Sequence, residues 1–444
     1  MSSPAAPAPG RPAGAGPDPA SGHAPVRSDG LLGTVDGLPR RSGVLGPLSG
    51  AVVRAAARHG TVGTLVLIGP DRTDRFGSGD PVATVTVHDP RAWRALVRRG
   101  SIGLGASYVA GWWDADDLVS AVRVLVARTA GLRDALDRVV PRFAPLLDLV
   151  PGRAPDRRAD RRNIGAHYDL SNEFFALMLD ETMAYSCAVF EDPDMDLADA
   201  QRAKFDRLCR KLDLRPGDRL VEIGTGWAGL AIHAARHYGV EVTTTTISDE
   251  QRSSAVERVA AAGLSDRITV LGEDWRDLRG TYDKLVSVEM IEAVDWRLHD
   301  AFLGACARLL HRRGLAAIQA IVIADRSFER AKRHDDFVRR MVFPGGCIPS
   351  VTALVSSVTR ATDLRVVDLE DIGRHYAATL HRWADNLSAA GDRVDALGVT
   401  PGFRRLWDLY LAYCEAGFLE RHISDVQMVL AKPDWRGRLA ARPY

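Results

Sequence analysis

Strand and helix patterns alternate along the chain after residue 200, and this alternation restricts the possible folds more than any other feature of the sequence. Short runs rich in Val, Ile and Thr are separated by longer stretches with helical periodicity. Because units of this kind build a parallel sheet, the region is predicted to be α/β, with a doubly wound, Rossmann-like sheet. The predicted strands are 219–223, 240–246, 268–271, 284–288 and 316–323, and the predicted helices are 230–238, 250–262 and 297–310.

The 444 residues divide into four predicted segments. Residues 1–30 consist mostly of Ala, Pro, Gly and Ser and are predicted to be a disordered tail. Residues 31–150 are predicted to form a smaller α/β domain, and residues 163–444 the larger domain. Between them, residues 151–162 hold five Arg and no large apolar side chain, which indicates a linker or a patch that meets anionic phospholipid. The smaller domain has predicted strands at 64–70 and 82–88 and predicted helices at 92–99 and 116–128.

Composition excludes several classes of protein. The 58 basic and 57 acidic residues give a net charge of +1, so the overall charge does not indicate a nucleic-acid partner. The five cysteines form no CxxC pair, which fits a reduced, cytoplasmic protein. No apolar run of about 18 residues occurs, so no transmembrane helix is expected. The histidines have no metal-ligand spacing, and no metal site is predicted.

The loop after the first strand of the larger domain contains Gly224 and Gly226 in a Gly-Thr-Gly turn. Glycines there permit a tight turn and the close approach of a ligand. Alone, such a turn fits NAD, FAD, S-adenosylmethionine (SAM) or an ordinary loop. A nicotinamide site usually has an acidic residue about 20 positions further on. Here the second strand ends in four threonines, 243–246, with no carboxylate before Asp249, and this favours SAM.

Longer motifs follow one another along the chain. They are Ala166-His167-Tyr168-Asp169-Leu170-Ser171-Asn172, Tyr185-Ser186-Cys187-Ala188, Gly224-Thr225-Gly226-Trp227, Thr246-Ile247-Ser248, Phe343-Pro344-Gly345-Gly346 and Pro349-Ser350. With these motifs the chain resembles the cyclopropane-fatty-acyl-phospholipid synthases and the related mycolic-acid methyltransferases, strongly over 160–435 and weakly over 45–150. The resemblance implies SAM-dependent methyl transfer to a cis double bond of a phospholipid acyl chain. It also implies a lipid-binding-like role for the smaller domain.

The resemblance further implies a set of SAM contacts. In the order of the chain they are Tyr185, Ser186, Gly224, Gly226, Thr246, Gln251 and Trp275. Trp275 is expected to cover the adenine, although a core aromatic is the alternative. Asp274, beside it, is predicted to accept a hydrogen bond from the adenine amino group.

A base must remove a proton after methyl transfer, and in this family the base is a bound bicarbonate held by a Cys backbone group, a Glu, a His and a Tyr. Cys187, Glu292 and Tyr376 match three of these positions. Gln319 stands where the His is expected, and Gln cannot provide a charge-assisted hydrogen bond to an anion. Glu181, where the common pattern has Pro, adds a carboxylate near the Tyr-Ser-Cys motif. Glu181 is predicted to take over part of the bicarbonate role, and a surface Glu at a helix end is the alternative.

Methyl transfer to an alkene leaves a carbocation, which the site must shield from water. The aromatic rings of Tyr168, Tyr185, Phe343 and Tyr376 are candidates to stabilise it, with ordinary core packing as the alternative. The departures at positions 181 and 319 and the stretch 288–294 resemble the actinobacterial branch linked to tuberculostearic acid. That likeness implies an oleoyl substrate and a 10-methylene product, the first step toward tuberculostearic acid. A cyclopropane from the same substrate is the alternative.

The implied partner is a phospholipid membrane surface, so the enzyme is expected to be cytoplasmic and peripheral on the inner face of the cell membrane. A separate reductase is expected for the next step. The sequence leaves open a homo-oligomer, a non-catalytic lipid-binding scaffold and methylation of a soluble small molecule. Aromatic residues on one helical stretch predict either core packing or the wall of an acyl tunnel: Trp407, Tyr410, Tyr413 and Phe418.

Overall fold

The computed structural model describes residue 38 and residues 45–58, 63–126 and 171–438. The predicted tail 1–30, the predicted linker 151–162 and the motif residues His167 and Tyr168 lie outside the described residues. Two α/β units are described, one on each side of that linker. Each contains its own sheet.

The N-terminal unit is a four-stranded mixed sheet with helices beside it. Its elements are α1 Leu45–Ala57, β1 Thr64–Ile68, β2 Thr73–Gly77, β3 Val82–Val87, α2 Arg91–Val109 and β4 Trp113–Ala115, and residues 118–126 are also helical. The strand order is β2-β1-β3-β4, with only β1 and β3 parallel. The predicted helix 92–99 is the first half of α2, which bends at Gly100, where φ is +54°, and then continues. The polar strand β2 has no β-branched run, and the sequence pattern missed it.

The C-terminal unit contains a seven-stranded sheet covered by helices. Its helices are α3 Asn172–Met178, α4 Leu197–Lys211, α5 Gly229–Tyr238, α6 Asp249–Ala261, α7 His299–Leu309, α8 Asp325–Ala331, α9 Phe337–Met341, α10 Val351–Ala361, α11 Gly373–Ala389, α12 Gly391–Ala396 and α13 Pro401–Leu419. Its strands are β5 Arg219–Ile223, β6 Glu241–Thr245, β7 Ile268–Leu271, β8 Tyr282–Val288, β9 Leu310–Ile323, β10 Arg365–Asp371 and β11 Ile423–Ala431. Short 3-10 turns at Ile291–Ala293 and Trp296–Leu298 precede α7.

The strand order is β10-β11-β9-β8-β5-β6-β7, and the predicted α/β class is confirmed. The parallel arrangement holds for β7, β6, β5, β8 and β9. The sequence analysis predicted neither β10 nor β11, and here β11 runs antiparallel to both β9 and β10. Three helices, α11, α12 and α13, lie between β10 and β11 in the chain.

The two units pack directly against each other. The guanidinium of Arg405 donates to the carbonyls of Tyr108 and Trp113 at 2.7 and 2.9 Å and lies 3.9 Å from the centre of the Tyr108 ring. Gly105 faces the Phe337 ring so closely that a Cβ there would lie 2.1 Å from it. The core formed by α11 and α13 therefore continues into the N-terminal unit.

Candidate active site

A cavity of about 1520 Å³ lies at the carboxyl ends of the parallel strands, where ligands of doubly wound sheets bind. The loops after β5, β6 and β8 form one wall. The N-terminal unit contributes apolar side chains to the opposite wall, including Leu96, Ile102 and Val122. All of the predicted cofactor residues line this one cavity: Tyr185, Ser186, Gly224, Gly226, Thr246, Gln251, Asp274 and Trp275.

The glycine loop after β5 is open toward the cavity. Gly224 and Gly226 adopt φ values of +103° and +50°, which side-chain-bearing residues rarely adopt. A Cβ at Gly226 would meet no atom within 4 Å, so the backbone there is free to approach a ligand. At Gly229, by contrast, a Cβ would lie 2.6 Å from the Thr182 carbonyl oxygen, so this glycine allows the start of α5 to pack closely. Ala228, between them, is also left-handed at φ +65°.

Side chains around this loop are held by hydrogen bonds. The Thr246 hydroxyl donates to Gln251 Oε1 at 2.9 Å, and the hydroxyls of Tyr185 and Tyr410 lie 2.9 Å apart. Trp275 packs edge to face on a core phenylalanine and also lines the cavity. It is therefore a core aromatic and, at the same time, part of the wall of the predicted SAM site. Asp274 is bound by Arg276 at 2.7 Å, and a bond to adenine would have to use its remaining lone pairs.

Lys204 brings a buried positive charge to this region. Its side chain is fully enclosed, and Nζ donates to the Ser186 hydroxyl at 2.7 Å. Burial lowers the pKa of Lys204, while the nearby carboxylate of Glu289 acts in the opposite direction. The sequence analysis had not selected this lysine.

A carboxylate that the sequence analysis had not selected, Glu289, occupies the centre of the predicted base site. Its Oε1 accepts from the Cys187 backbone N–H at 2.8 Å and from Gln319 Nε2 at 2.8 Å. Its Oε2 accepts from the Tyr376 hydroxyl. The resemblance assigned these positions, with His in place of Gln319, to bicarbonate. The residues therefore do not fit a bound bicarbonate, because a side chain of the chain itself already occupies their donors.

Glu292 lies close to this carboxylate and also lines the cavity. Its Oε1 accepts from the Ile321 backbone N–H, and its buried Oε2 has no hydrogen-bond partner among the described residues. Burial, assisted by the negative charge of Glu289, raises the pKa of Glu292 to about 8. Glu292 is therefore mostly a neutral acid near pH 7 and can donate a hydrogen bond into the cavity.

The role predicted for Glu181 needs correction. Its side chain is 71% exposed, does not line the cavity and pairs with Arg202 on the surface. The alternative reading, a surface glutamate, describes its position. A carboxylate does occupy the predicted bicarbonate position, but it belongs to Glu289 in the loop after β8 and not to the loop after α3.

Aromatic rings surround the carboxylate. Tyr376 stacks on Phe418 with 4.4 Å between ring centres, and Phe343 contacts Tyr410 edge to face. These four rings and those of Tyr185 and Tyr413 line the cavity, whereas Trp407 is buried against Phe403 in the core. Tyr168 lies outside the described residues. This part of the cavity wall therefore offers aromatic rings that can stabilise a positive charge.

The open glycine turn at the end of the first parallel strand, with hydroxyl and amide side chains beside it, fits SAM. The doubly wound sheet with this turn facing the cavity has the arrangement of a SAM-dependent methyltransferase. In the parts of the chain that the structure describes, no group of His, Cys, Asp or Glu side chains is arranged to hold a metal ion. Nor does any helix in those parts have the length and apolarity to cross a bilayer.

The chain belongs to the mycolic acid cyclopropane synthetase family, whose sequence model matches residues 155–428. The tuberculostearic acid methyltransferase UfaA1 of Mycobacterium tuberculosis is 38% identical over 411 residues, which cover 89% of this chain and 94% of that protein. The cyclopropane-fatty-acyl-phospholipid synthase of Escherichia coli is 34% identical over 369 residues, covering 82% and 92%.

Solved structures agree with this assignment. The mycolic acid cyclopropane synthase CmaA1, solved with SAH and CTAB, is 31% identical and superposes with a TM-score of 0.57. The cyclopropane synthase MmaA2 from Mycobacterium tuberculosis is 28% identical, with the same TM-score. Each match covers 61% of this chain and 98% of the solved chain.

Proposed function

We propose that the protein transfers a methyl group from SAM to the cis double bond of an oleoyl chain in a phospholipid and then removes a proton to leave a 10-methylene acyl chain. The observation that carries this proposal is the carboxylate of Glu289, held among aromatic rings in the same cavity as the glycine loop. SAM, when bound, supplies an electrophilic methyl group. The residues of the chain orient the lipid, exclude water and accept the proton.

Glu289 is the proton acceptor in this proposal. After the alkene has gained a methyl group, a C–H bond of the cationic lipid breaks. Its electron pair forms the new double bond, and its proton forms an O–H bond with a Glu289 oxygen. Because three donors fix this carboxylate at one point, it accepts a proton only from a carbon that reaches that point.

This fixed position supports the methylene product. A cyclopropane forms when the first cation closes its ring, whereas a methylene forms after a hydride shift has moved the cation to the methyl-bearing carbon. A base anchored to the chain removes the proton only after the shifted cation presents its new methyl group. The UfaA1 relative, named for tuberculostearic acid, supports the same choice.

A basic rim supports a phospholipid substrate. Eight arginines line the cavity, and three of them pair with Asp274 or Asp335. The other five form no ion pair within the described ranges, and four of these five are exposed: Arg98, Arg99, Arg326, Arg330 and Arg421. Two acids that also line the cavity are paired with arginines: Glu420 with Arg123 at 2.7 Å and Asp335 with Arg339 at 3.4 Å. An acyl chain that reaches Glu289 would leave its phosphate near this rim, where guanidinium groups bind phosphate well.

The same reasoning supports a peripheral position on the cytoplasmic face of the cell membrane, with anionic lipid at the rim. The methylene product still carries a double bond. A separate reductase must therefore supply hydride if the cell is to make the saturated methyl-branched acid.

The test is lipid analysis. The chain is expressed in a bacterium that lacks its own cyclopropane synthase, oleate is supplied, and proton NMR of the extracted fatty esters is recorded. Exocyclic methylene protons are expected. High-field cyclopropane protons would contradict the proposed product, and unmodified oleate would contradict the proposed substrate.

A matched pair of variants tests the base. Replacing Glu289 by Gln keeps the size of the side chain but removes its capacity to take a proton, so turnover is expected to fall about 10²–10⁴-fold. Glu181→Gln is the control, because that carboxylate is exposed and outside the cavity. Equal turnover in both variants would contradict the assignment.

The effect of bicarbonate on turnover distinguishes this mechanism from one in which bound bicarbonate is the base. Wild-type turnover in carbonate-free buffer is expected to match turnover with added bicarbonate, because Glu289 already occupies the donors. A large loss of turnover when bicarbonate is removed would show that Glu289 does not replace it.

A further inference from the structure

Asp425 is a second carboxyl group beside the proposed base, and no step described so far uses it. It lies on β11, opposite Ile321 of β9, and its side chain is fully buried. Its Oδ2 accepts from Gln319 Nε2 at 2.9 Å. Its Oδ1 is also buried, and among the described residues no donor reaches it.

The amide of Gln319 connects the two carboxyl groups. Nε2 donates one hydrogen to Glu289 and the other to Asp425, while Oε1 accepts from Gln427 Nε2 at 3.0 Å. Rotating the amide by 180° would turn its oxygen toward both carboxyls, so the network fixes its orientation. A histidine at this position has a single N–H on each ring nitrogen and cannot bind both carboxyls from one atom. The network thus gives a reason for Gln at this position.

We infer that Asp425 is kept as a neutral acid whose O–H, at Oδ1, donates to Glu289, so that the pair carries one proton and Glu289 is its ionised member. This inference rests on the proposed role of Glu289 as base. The number of hydrogen-bond donors around each carboxyl group indicates which of the two is protonated. Glu289 accepts from three donors, whereas Asp425 accepts from one and leaves Oδ1 without any.

Electrostatics support the same assignment. Two buried carboxyls that share one amide nitrogen as donor lie close enough that both cannot ionise at low cost. Burial, followed by the negative charge of Glu289 and the hydrogen bond between the two side chains, raises the pKa of Asp425 well above its usual range. The titratable groups that face Asp425 from neighbouring elements are Glu289, Glu292, Cys187, Lys204 and Tyr376.

In the reaction, Asp425 acts through Glu289 and is a positioning residue. Its O–H provides a fourth donor, which holds the Glu289 carboxylate in place. Once Glu289 has taken a proton from the lipid cation, the pair carries two protons. One proton must then pass to water after product release, and this restores the singly protonated pair.

Two substitutions of Asp425 separate a neutral role from an ionised one. Asn has nearly the same shape as a protonated Asp, with one donor and one acceptor, so Asp425→Asn is expected to keep kcat within about threefold of wild type at pH 7. It should also remove the loss of activity at alkaline pH that follows when Asp425 gives up its proton. Asp425→Leu has no donor and should reduce kcat about tenfold or more.

Ser424→Ala is the control for a disturbance of β11 next to Asp425: it removes a half-buried hydroxyl that bonds to Asp371 beside the start of α11 and leaves Asp425 intact. Equal losses in the Asn and Leu variants would show that Asp425 works as an anion and would overturn the inference. A loss of activity at alkaline pH that is unchanged in Asp425→Asn would also overturn the inference.

Infrared spectroscopy supplies a readout that does not need turnover. A protonated carboxyl has a C=O stretch distinct from that of a carboxylate. The difference spectrum between wild type and Asp425→Asn at pH 7 should contain one such band. Absence of the band would overturn the inference. If the band is present but wild type makes no methylated lipid, the proposed function fails while the shared proton stands.

Discussion

The backbone of Glu289 is strained. Its φ is +48°, a left-handed conformation that costs a residue with a Cβ roughly 1–2 kcal/mol. Such strain persists only where the surroundings determine the conformation, and here the backbone N–H donates to the Gln319 carbonyl at 2.8 Å while the carboxylate accepts three further bonds. A glycine would adopt this φ without cost, so a strained glutamate indicates that its carboxylate is used.

Glu292 gives a prediction about stability. Its pKa rises from the ordinary 4.5 in the unfolded chain to about 8 in the folded protein. Between these values the folded protein holds a proton that the unfolded chain has released. The free energy of unfolding therefore falls as pH rises through this window, by up to about 1.4 kcal/mol per pH unit. Glu292→Gln removes this contribution.

Urea unfolding at about pH 5.5 and about pH 7.5 measures the effect. Wild type is expected to lose about 1–3 kcal/mol more than Glu292→Gln between these conditions. Glu222, whose pKa burial raises to about 7, contributes to both proteins and does not affect the comparison. Identical pH dependence in the two proteins would mean that Glu292 is not the group that holds the proton.

Residues in local motifs could be predicted, and residues that depend on distant contacts could not. Gly224 and Gly226 follow a recognisable strand. The partners of Glu289, by contrast, lie 30, 87 and 102 positions away in the chain, and no spacing rule connects them. Glu181 was chosen because it is near the Tyr-Ser-Cys motif in sequence. The structure brings the loop after β8 to that motif instead.

At the level of elements, the parallel part of the sheet was predictable because a helix follows each of β5, β6, β8 and β9 in the chain. The direction of β11 was not. It depends on how α11 and α13 return the chain to the sheet, and strand periodicity carries no information about direction. This unpredicted strand carries Asp425 and Gln427. The polar network around Gln319 could therefore not be predicted from the sequence either.

The junction between α11 and β11 positions Tyr376. Helix α11 begins at Gly373, where a Cβ would lie 2.1 Å from Ser424 Oγ and 2.8 Å from the Asp425 backbone nitrogen. The backbone of β11 cannot shift without a large cost in free energy. Gly373→Ala is therefore expected to push the start of α11 away from the strand. Tyr376, one turn further on, would then lose its bond to Glu289.

We expect kcat of Gly373→Ala to fall about 10–100-fold, while its affinity for SAM, measured by calorimetry, stays within about twofold. Gly304→Ala is the matched control, since its Cβ would meet only the Ala361 carbonyl oxygen at an ordinary 3.7 Å. A parallel loss of SAM affinity in Gly373→Ala would point to general damage to the fold instead of a displaced tyrosine.

At the scale of the whole molecule, the two units form one binding cavity. The kinked helix α2 places Leu96 and Arg99 in its wall, and Arg99 Nη1 is buried without a hydrogen-bond partner among the described residues. Arg326 and Arg330 face the same cavity from α8 in the other unit. A lipid bound there would contact both units, so we propose that the N-terminal unit takes part in substrate recognition.

Together with the proposed phospholipid substrate, the basic rim predicts that the molecule binds anionic membranes through these arginines. Each arginine near an anionic surface contributes about 1 kcal/mol, so replacing both Arg326 and Arg330 by Gln should weaken binding to phosphatidylglycerol vesicles about 30-fold. Binding to phosphatidylcholine vesicles should change less. Salt should reduce the difference between the two lipids, because exposed charges are screened.

Sedimentation with vesicles measures this binding, and turnover separates KM from kcat. The control replaces Arg215 and Arg312, which are exposed but do not line the cavity. If the rim holds the phosphate of the substrate, the rim variant raises KM for dioleoyl phosphatidylglycerol and leaves kcat near that of wild type, because Glu289 and the glycine loop are unchanged. Equal effects of the rim and control variants would mean that net charge alone, and not the cavity rim, attracts the protein to the membrane.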